Sequence, residues 1–90
     1  GNGYTPEALA VVLQYAFEEI GLHRVQVAII PRNASSRRVV EKLSLRDEGI
    51  AKRYLEINGE WEDHIRFAIT SEEWVERKEE ITKRWIGNGS

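Results

Sequence analysis

The 90 residues predict an α/β domain, on three observations. Val25 to Ile30 is a short, β-branched apolar run closed by Pro31, as expected of a strand covered on both faces. Lys52 to Ile57 and Trp61 to Ile69 flank Asn58-Gly59, the dipeptide suited to a type I′ hairpin turn because both residues tolerate positive φ. Three further segments repeat apolar residues at steps of three and four, the spacing of one helix face. Together these give a buried strand, a terminal antiparallel hairpin and three helices.

The first helix starts at Thr5, a capping residue followed by Pro6 and Glu7, types that suit the electropositive start of a helix. Its expected core face is Leu9, Val12, Leu13, Ala16, Phe17 and Ile20, and Gly21 ends it. After the buried strand, Asn33, Ser35 and Ser36 offer caps for a second helix. In it Val39, Val40 and Leu43 point inward, and Arg37, Arg38, Glu41 and Lys42 stay solvated. In the last strand Trp61, Asp63, Ile65, Phe67 and Ile69 share one face, the expected core face. Glu62, His64, Arg66 and Ala68 share the other. Thr70 and Glu73 form a capping box for a third helix striped by Trp74, Ile81 and Trp85. Pairs four apart, Glu73 with Arg77 and Glu79 with Lys83, are in the favourable order for helix ion pairs.

Composition narrows the function. Hydrophobic residues make up 41% and charged residues 31%, so the chain is one globular domain. Thirteen Lys and Arg against fifteen Asp and Glu give a net charge of −2, which argues against a general nucleic-acid binder. Cysteine is absent and there are two histidines, so neither a disulfide framework nor a metal centre is expected. With no apolar run long enough to span a membrane and no secretory signal pattern, a cytoplasmic setting is expected. The chain opens at Gly1 without a methionine anywhere, and the expectation is that it begins inside a longer polypeptide. Gly1-Asn2-Gly3 recurs as Gly87-Asn88-Gly89, which reads as flexible ends, a junction or chance.

Two places can carry chemistry. Gly1-Asn2-Gly3-Tyr4-Thr5 leads into a helix start, where free backbone amides and the helix dipole favour an anion such as a pyrophosphate. The segment is neither a P-loop, lacking Gly-Lys-Ser or Gly-Lys-Thr, nor a dinucleotide fingerprint. Arg32, Asn33, Arg37, Arg38 and Lys42 form a basic cluster at the end of the buried strand. On residue types alone it reads first as a turn, a cap and solvated helix charge, and second as a phosphate-binding cluster.

The order of these pieces resembles the C-terminal half of the GNAT superfamily of acetyl-CoA-dependent N-acetyltransferases. Gly1 to Leu9 is similar to the end of that family's acetyl-CoA loop. Leu22-His23-Arg24-Val25 with Pro31 to Leu43, and Tyr54 to His64, resemble the branch that includes ribosomal-protein alanine N-acetyltransferases and spermidine acetyltransferases. The resemblance covers about positions 1 to 75. It implies that residues 1–70 are the acetyl-CoA-binding half of a GNAT domain and that 71–90 add a helix and a flexible tail. It further implies that Gly1, Gly3, Tyr4 and Thr5 meet the CoA pyrophosphate through backbone amides. Asn33 would hydrogen-bond the CoA arm, with Ser36 and Arg37 or Arg38 nearby. Acetyl-CoA is the expected co-substrate, and the reaction acetyl transfer to a primary amine, with a ribosomal-protein N-terminus or a polyamine among the candidate acceptors.

Tyr54, Trp61, Asp63 and His64 are candidate contacts for that amine, with Asp63 or Glu62 drawing its positive charge and His64 suited by its ordinary pKa to act as base. The same residues read alternatively as packing and local hydrogen bonding. No catalytic residue is assigned, because Val40 stands where many superfamily members carry a tyrosine proton donor. Ser44-Leu45 replaces the family's usual Gly-Phe, so a different bend after the second helix is expected. A half-sheet leaves an open edge, so association is expected, as a homodimer or with an N-terminal half. The alternative is a noncatalytic GNAT-like interaction module, with or without CoA binding. A further reading makes the Trp74 to Trp85 helix a docking surface for a partner helix.

Overall fold

The computed structural model describes residues 5–86. Gly1, Gly3 and Tyr4, and the glycine-rich repeat at both ends, lie outside the described residues. Helix α1 (Pro6–Gln14) continues into a wider π-helical segment, Tyr15–Ile20. Strand β1 (Arg24–Ile29), helix α2 (Ala34–Lys42), strands β2 (Arg46–Ile57) and β3 (Glu60–Thr70), and helix α3 (Ser71–Ile81) follow. A π-helical segment, Thr82–Ile86, extends α3. The strands form one antiparallel sheet in the order β1-β3-β2.

Local chemistry sets the element ends where the residue types place them. The Thr5 side chain accepts the Ala8 amide at 3.1 Å, Pro6 occupies the first turn, and Gly21 closes the helical stretch at φ 81°. Asn58 and Gly59 take φ values of 53° and 84°, the left-handed pair of a type I′ turn. At α3, Thr70 Oγ1 accepts the Glu73 amide while a Glu73 carboxylate oxygen accepts the Thr70 amide at 2.9 Å, completing the capping box.

The core lies between one face of the sheet and the helices. Val25, Val27 and Ile29 sit opposite Ile69, Phe67 and Ile65 in register, and Leu9, Leu13, Val39, Val40, Leu43, Trp74 and Ile81 close over them. Phe17 stacks on Trp74 with ring centroids 5.7 Å apart, and the Trp74 indole N–H donates to Glu18 at 2.9 Å. Trp74 is therefore anchored within this molecule at 2% exposure, and the α3 apolar stripe is core rather than a docking surface. Residues 82–86 follow it onto the same cluster through Trp85 and Ile86.

Four expectations are corrected. The β1 strand is not covered on both faces: only Ile29 is fully buried, because β1 is an edge strand and the helices lie on one side. In α1 and the segment that continues it, Val12 and Ile20 are 54% and 56% exposed and Ala10 is buried in their stead. Ala10 joins Leu9, Leu13 and Ala16 on the buried side, so the buried face is displaced from the one the spacing predicts. In β3 both faces carry buried residues, since His64 and Ala68 are enclosed within a central strand, whereas Trp61 is exposed at the hairpin end. The paired charges on α3 go elsewhere: Glu73 binds Arg46, and Arg77 donates to the Ser44 carbonyl at 2.7 Å. Glu79 and Lys83 form no ion pair among the described residues.

Strand β2 is longer than the periodicity predicts because two bulges break its alternation, between Asp47 and Ile50 and between Ala51 and Leu55. Each bulge holds a residue at positive φ, Gly49 at 103° and Arg53 at 49°. In each, a carboxylate accepts the displaced amide: Asp47 takes the Gly49 N–H at 2.8 Å and Asp63 takes the Arg53 N–H at 2.9 Å. Beneath the first bulge, Arg24 and Arg46 both bind Glu48, and Arg46 also binds Glu73, which ties β1, β2 and α3 together.

The turn after α2 keeps a glycine-type geometry despite its sequence. Ser44 has φ 65°, its amide donates to the Glu41 carbonyl at 3.0 Å, and the Leu45 amide donates to the Val40 carbonyl at 3.1 Å. These two bonds make a Schellman cap, with buried Leu45 and Val40 at its two ends.

Candidate functional site

The β1–α2 junction turns through Pro31, with the Asn33 amide donating to the Ile30 carbonyl at 2.9 Å and the Ala34 amide to the Arg32 carbonyl at 3.0 Å. Asn33 then caps α2: its Oδ1 accepts the Ser36 amide and the Ser35 hydroxyl, both at 3.2 Å. The cap uses the amide oxygen, and the Asn33 NH₂ donates to no partner among the described residues. Ser36 is buried beneath this turn. Arg38 is exposed, whereas Arg37 is half-buried with an enclosed Nε that has no partner among the described residues. Thr5 occupies the equivalent capping position on α1. The described cofactor candidates thus sit on two capped helix starts, whose free N–H groups and dipoles favour anions.

Tyr54, Trp61, Asp63 and His64 are not brought together as one cluster. Antiparallel register puts His64 opposite Ala51 and beside Tyr54, ring centroids 5.7 Å apart, on the sheet face away from the helices. His64 is 3% exposed, and its Nδ1 lies 3.0 Å from the Glu62 carbonyl, which can only accept, so Nδ1 carries the hydrogen. Asp63 is committed to the β2 bulge and to Lys52 Nζ at 3.4 Å. Its carboxyl is held below the usual aspartate range, first by the Arg53 amide and then by the nearby Lys52 charge.

What the fold does bring together is a cleft of about 360 Å³ lined by Ile30, Pro31, Arg32, Trp61, Glu62 and Asp63. Here Arg32 grips Glu62 with two parallel bonds, Nη1 to Oε1 at 2.9 Å and Nη2 to Oε2 at 3.0 Å. Those bonds depress the Glu62 carboxyl and raise the Arg32 guanidinium. Sequence patterning offers no hint of this pair, because 30 positions separate its members. The β1–β3 register, which ends with Ile29 opposite Ile65, brings the turn after β1 beside the start of β3, and the pair forms between them. The cleft adjoins Asn33 along the chain, so a basic, donor-rich helix start and an acidic, aromatic mouth are neighbours. Val40 is 1% exposed within the core and takes no part in either.

A sequence profile described as the acetyltransferase (GNAT) domain matches residues 1–46. A probable N-acetyltransferase of Bacillus subtilis, YjcK, is 48% identical over 69 residues, 77% of this chain and 38% of that protein. The crystal structure of ribosomal-protein-S5-alanine acetyltransferase from Vibrio fischeri superposes with a TM-score of 0.72 at 42% identity, covering 82% of this chain and 40% of that one. RimJ of Mycobacterium smegmatis, solved in complex with CoA-disulfide, gives a TM-score of 0.69 at 35% identity over 86% of this chain and 41% of that one. The chain spans about two-fifths of the length of these proteins. Among the described residues, no helix is long and apolar enough to cross a membrane.

Proposed function

The chain belongs to the GNAT acetyltransferase family, and from that premise we propose that it is the acetyl-CoA-binding portion of a cytoplasmic N-acetyltransferase acting on a primary amine. The observation that carries the reading is the Asn33-capped start of α2: one side chain satisfies the helix with its oxygen and keeps an amide donor free, with the Arg38 guanidinium a turn further on. In this reading Asn33 donates to the CoA arm, Arg37 and Arg38 pair with phosphate, and Ser36 holds the turn beneath them. Gly1, Gly3, Tyr4 and Thr5 present backbone amides to the pyrophosphate at the start of α1. Residues 1–70 form the cofactor half of the domain, and 71–90 supply the helix that closes its core and the tail beyond.

The acceptor is an amine such as a ribosomal-protein N-terminus or a polyamine, a choice supported by relatives that carry the first of these activities in their names. The amine must lose its proton and the developing oxyanion must meet an N–H donor. Neither role is assigned here, and Val40 is unable to supply a proton to the departing thiolate. Association, as a homodimer or with the remainder of a longer GNAT domain, is supported by the β1 edge, unpaired among the described residues, and by exposed Val11 and Val12 on α1 and Tyr15 just after it. A second reading is a noncatalytic GNAT-like interaction module, with or without CoA binding.

Calorimetric titration of acetyl-CoA into the chain tests the proposal. Saturable binding is expected, weakened about tenfold or more by Asn33→Ala with Arg38→Ala, since each removes a donor to the ligand. Asn33→Ser separates the two jobs of Asn33, keeping the cap while losing the amide donor, so it should weaken binding without lowering stability. Absence of binding to a folded chain refutes the cofactor site. Binding without acetylation of any amine by the full-length protein selects the noncatalytic module.

A further inference from the structure

We propose that the Arg32–Trp61–Glu62 cleft is a receptor for a positively charged group on the acceptor, a guanidinium or ammonium carried beside the amine to be acetylated, and that Arg32 occupies this receptor until the acceptor displaces it. The assignment of an acceptor rests on the function proposed above, while the cation receptor stands on its own geometry. Three features build it. Glu62 is only 21% exposed and already holds a guanidinium through two bonds, so its carboxylate is oriented for a planar cation. The guanidinium seated there belongs to a side chain that is itself 69% exposed, and it can swing into water without breaking a packed contact. Trp61 is 59% exposed at the cleft wall, and an indole face attracts cations.

Charge at the mouth favours the same ligand. Glu60 and Glu62 act on Arg32, while Asp63 is engaged by Lys52. When Arg32 leaves, Glu60 and Glu62 remain without a partner, so the open cleft is attractive to a cation and repels an anion. Arg32 then acts as an internal competitor. It shields Glu62 in the empty protein, and any ligand must be cationic enough to replace it. An acceptor with a second positive charge fits this requirement better than one whose only charge is the amine that must be deprotonated for transfer.

The test is an NMR titration of argininamide into the 90-residue chain at low salt, following the Trp61 indole N–H, with alaninamide as a singly charged comparison. Arg32→Gln removes the competitor and should tighten argininamide by about two- to fivefold, the range set by an exposed ion pair. Glu62→Gln should weaken it by at least as much, and the double variant should behave like Glu62→Gln. Argininamide should bind more tightly than alaninamide, and added salt should weaken it. Neither side chain belongs to the hydrophobic core, and an unchanged thermal melt confirms the fold. The proposal is overturned if Arg32→Gln leaves the affinity unchanged or weaker, or if Glu62→Gln binds like the parent chain. Acetyl-CoA is absent from this experiment, so its failure leaves the calorimetric test of the cofactor site intact.

Discussion

Replacing Ser44 with glycine should stabilise this domain, and the size of the effect can be worked from the turn itself. Ser44 sits at φ 65° between two Schellman bonds, and Arg77 holds its carbonyl at 2.7 Å, so the backbone is unable to relax out of the left-handed region. For an L-residue that region costs about 1–2 kcal/mol, and glycine escapes the cost. Against this, glycine adds about 0.5–1 kcal/mol of freedom to the unfolded chain. The difference runs from about zero to about 1.5 kcal/mol, with a midpoint of roughly 0.75 kcal/mol in favour of Ser44→Gly. At about 4–8 °C per kcal/mol for a domain of this size, that midpoint should raise Tm by about 3–6 °C. Urea unfolding is the assay: the midpoint should move up with an unchanged slope. Ser44→Ala is the control, since alanine keeps the Cβ and should stay close to the parent. Equal stabilisation by alanine and glycine would show that the hydroxyl, not the φ angle, is responsible, and destabilisation by glycine would refute the reasoning altogether.

Two more outcomes follow from packing and charge. Trp74→Ala removes a side chain that stacks on Phe17, bonds Glu18 and lies at the centre of the core, so it should cost about 3–5 kcal/mol and strip most of the cooperative unfolding from a domain this small. If far-UV circular dichroism and the urea midpoint survived the change, α3 would be an accessory element after all. Acid should also destabilise the fold. Glu73 is held below the ordinary glutamate range chiefly by the Thr70 amide, Glu48 by bonds from Arg24 and Arg46, and Glu62 by Arg32. A folded carboxylate with a depressed pKa contributes stability above its unfolded pKa and loses it as pH falls through the folded one. The urea midpoint should therefore decline between about pH 5 and pH 3, and Glu73→Gln, which keeps the cap but discards the charge, should flatten the decline. A midpoint that stays level down to pH 3 would contradict it.

Features whose cause lies within four residues were legible in the sequence. Thr5 as a cap, Asn58-Gly59 as a turn, and Thr70 with Glu73 as a capping box each depend on one side chain and the backbone beside it. The Asn33 cap and the inward Val39, Val40 and Leu43 were legible for the same reason, since one helix turn brings them together. The resemblance to an acetyltransferase half was legible too, because it rests on ordered blocks along the chain.

Other features depend on partners distant in sequence, and there local patterning misleads. Alternation assigns Trp61 to the core and His64 to the outside, but the tertiary structure exposes the first and buries the second, because the hairpin end projects past the helix layer while β3 lies between two strands. The bulges at Gly49 and Arg53 shift β2 against β3, so no period-two reading survives them. Which side of α1 is buried, with Ala10 in and Val12 out, was decided by the elements packed against it, which one helix's own sequence does not encode. The Arg32–Glu62 cleft is the clearest case. Both residues were visible as charges, but only the antiparallel register of β1 on β3 makes them a pair, and register is a property of two strands rather than one.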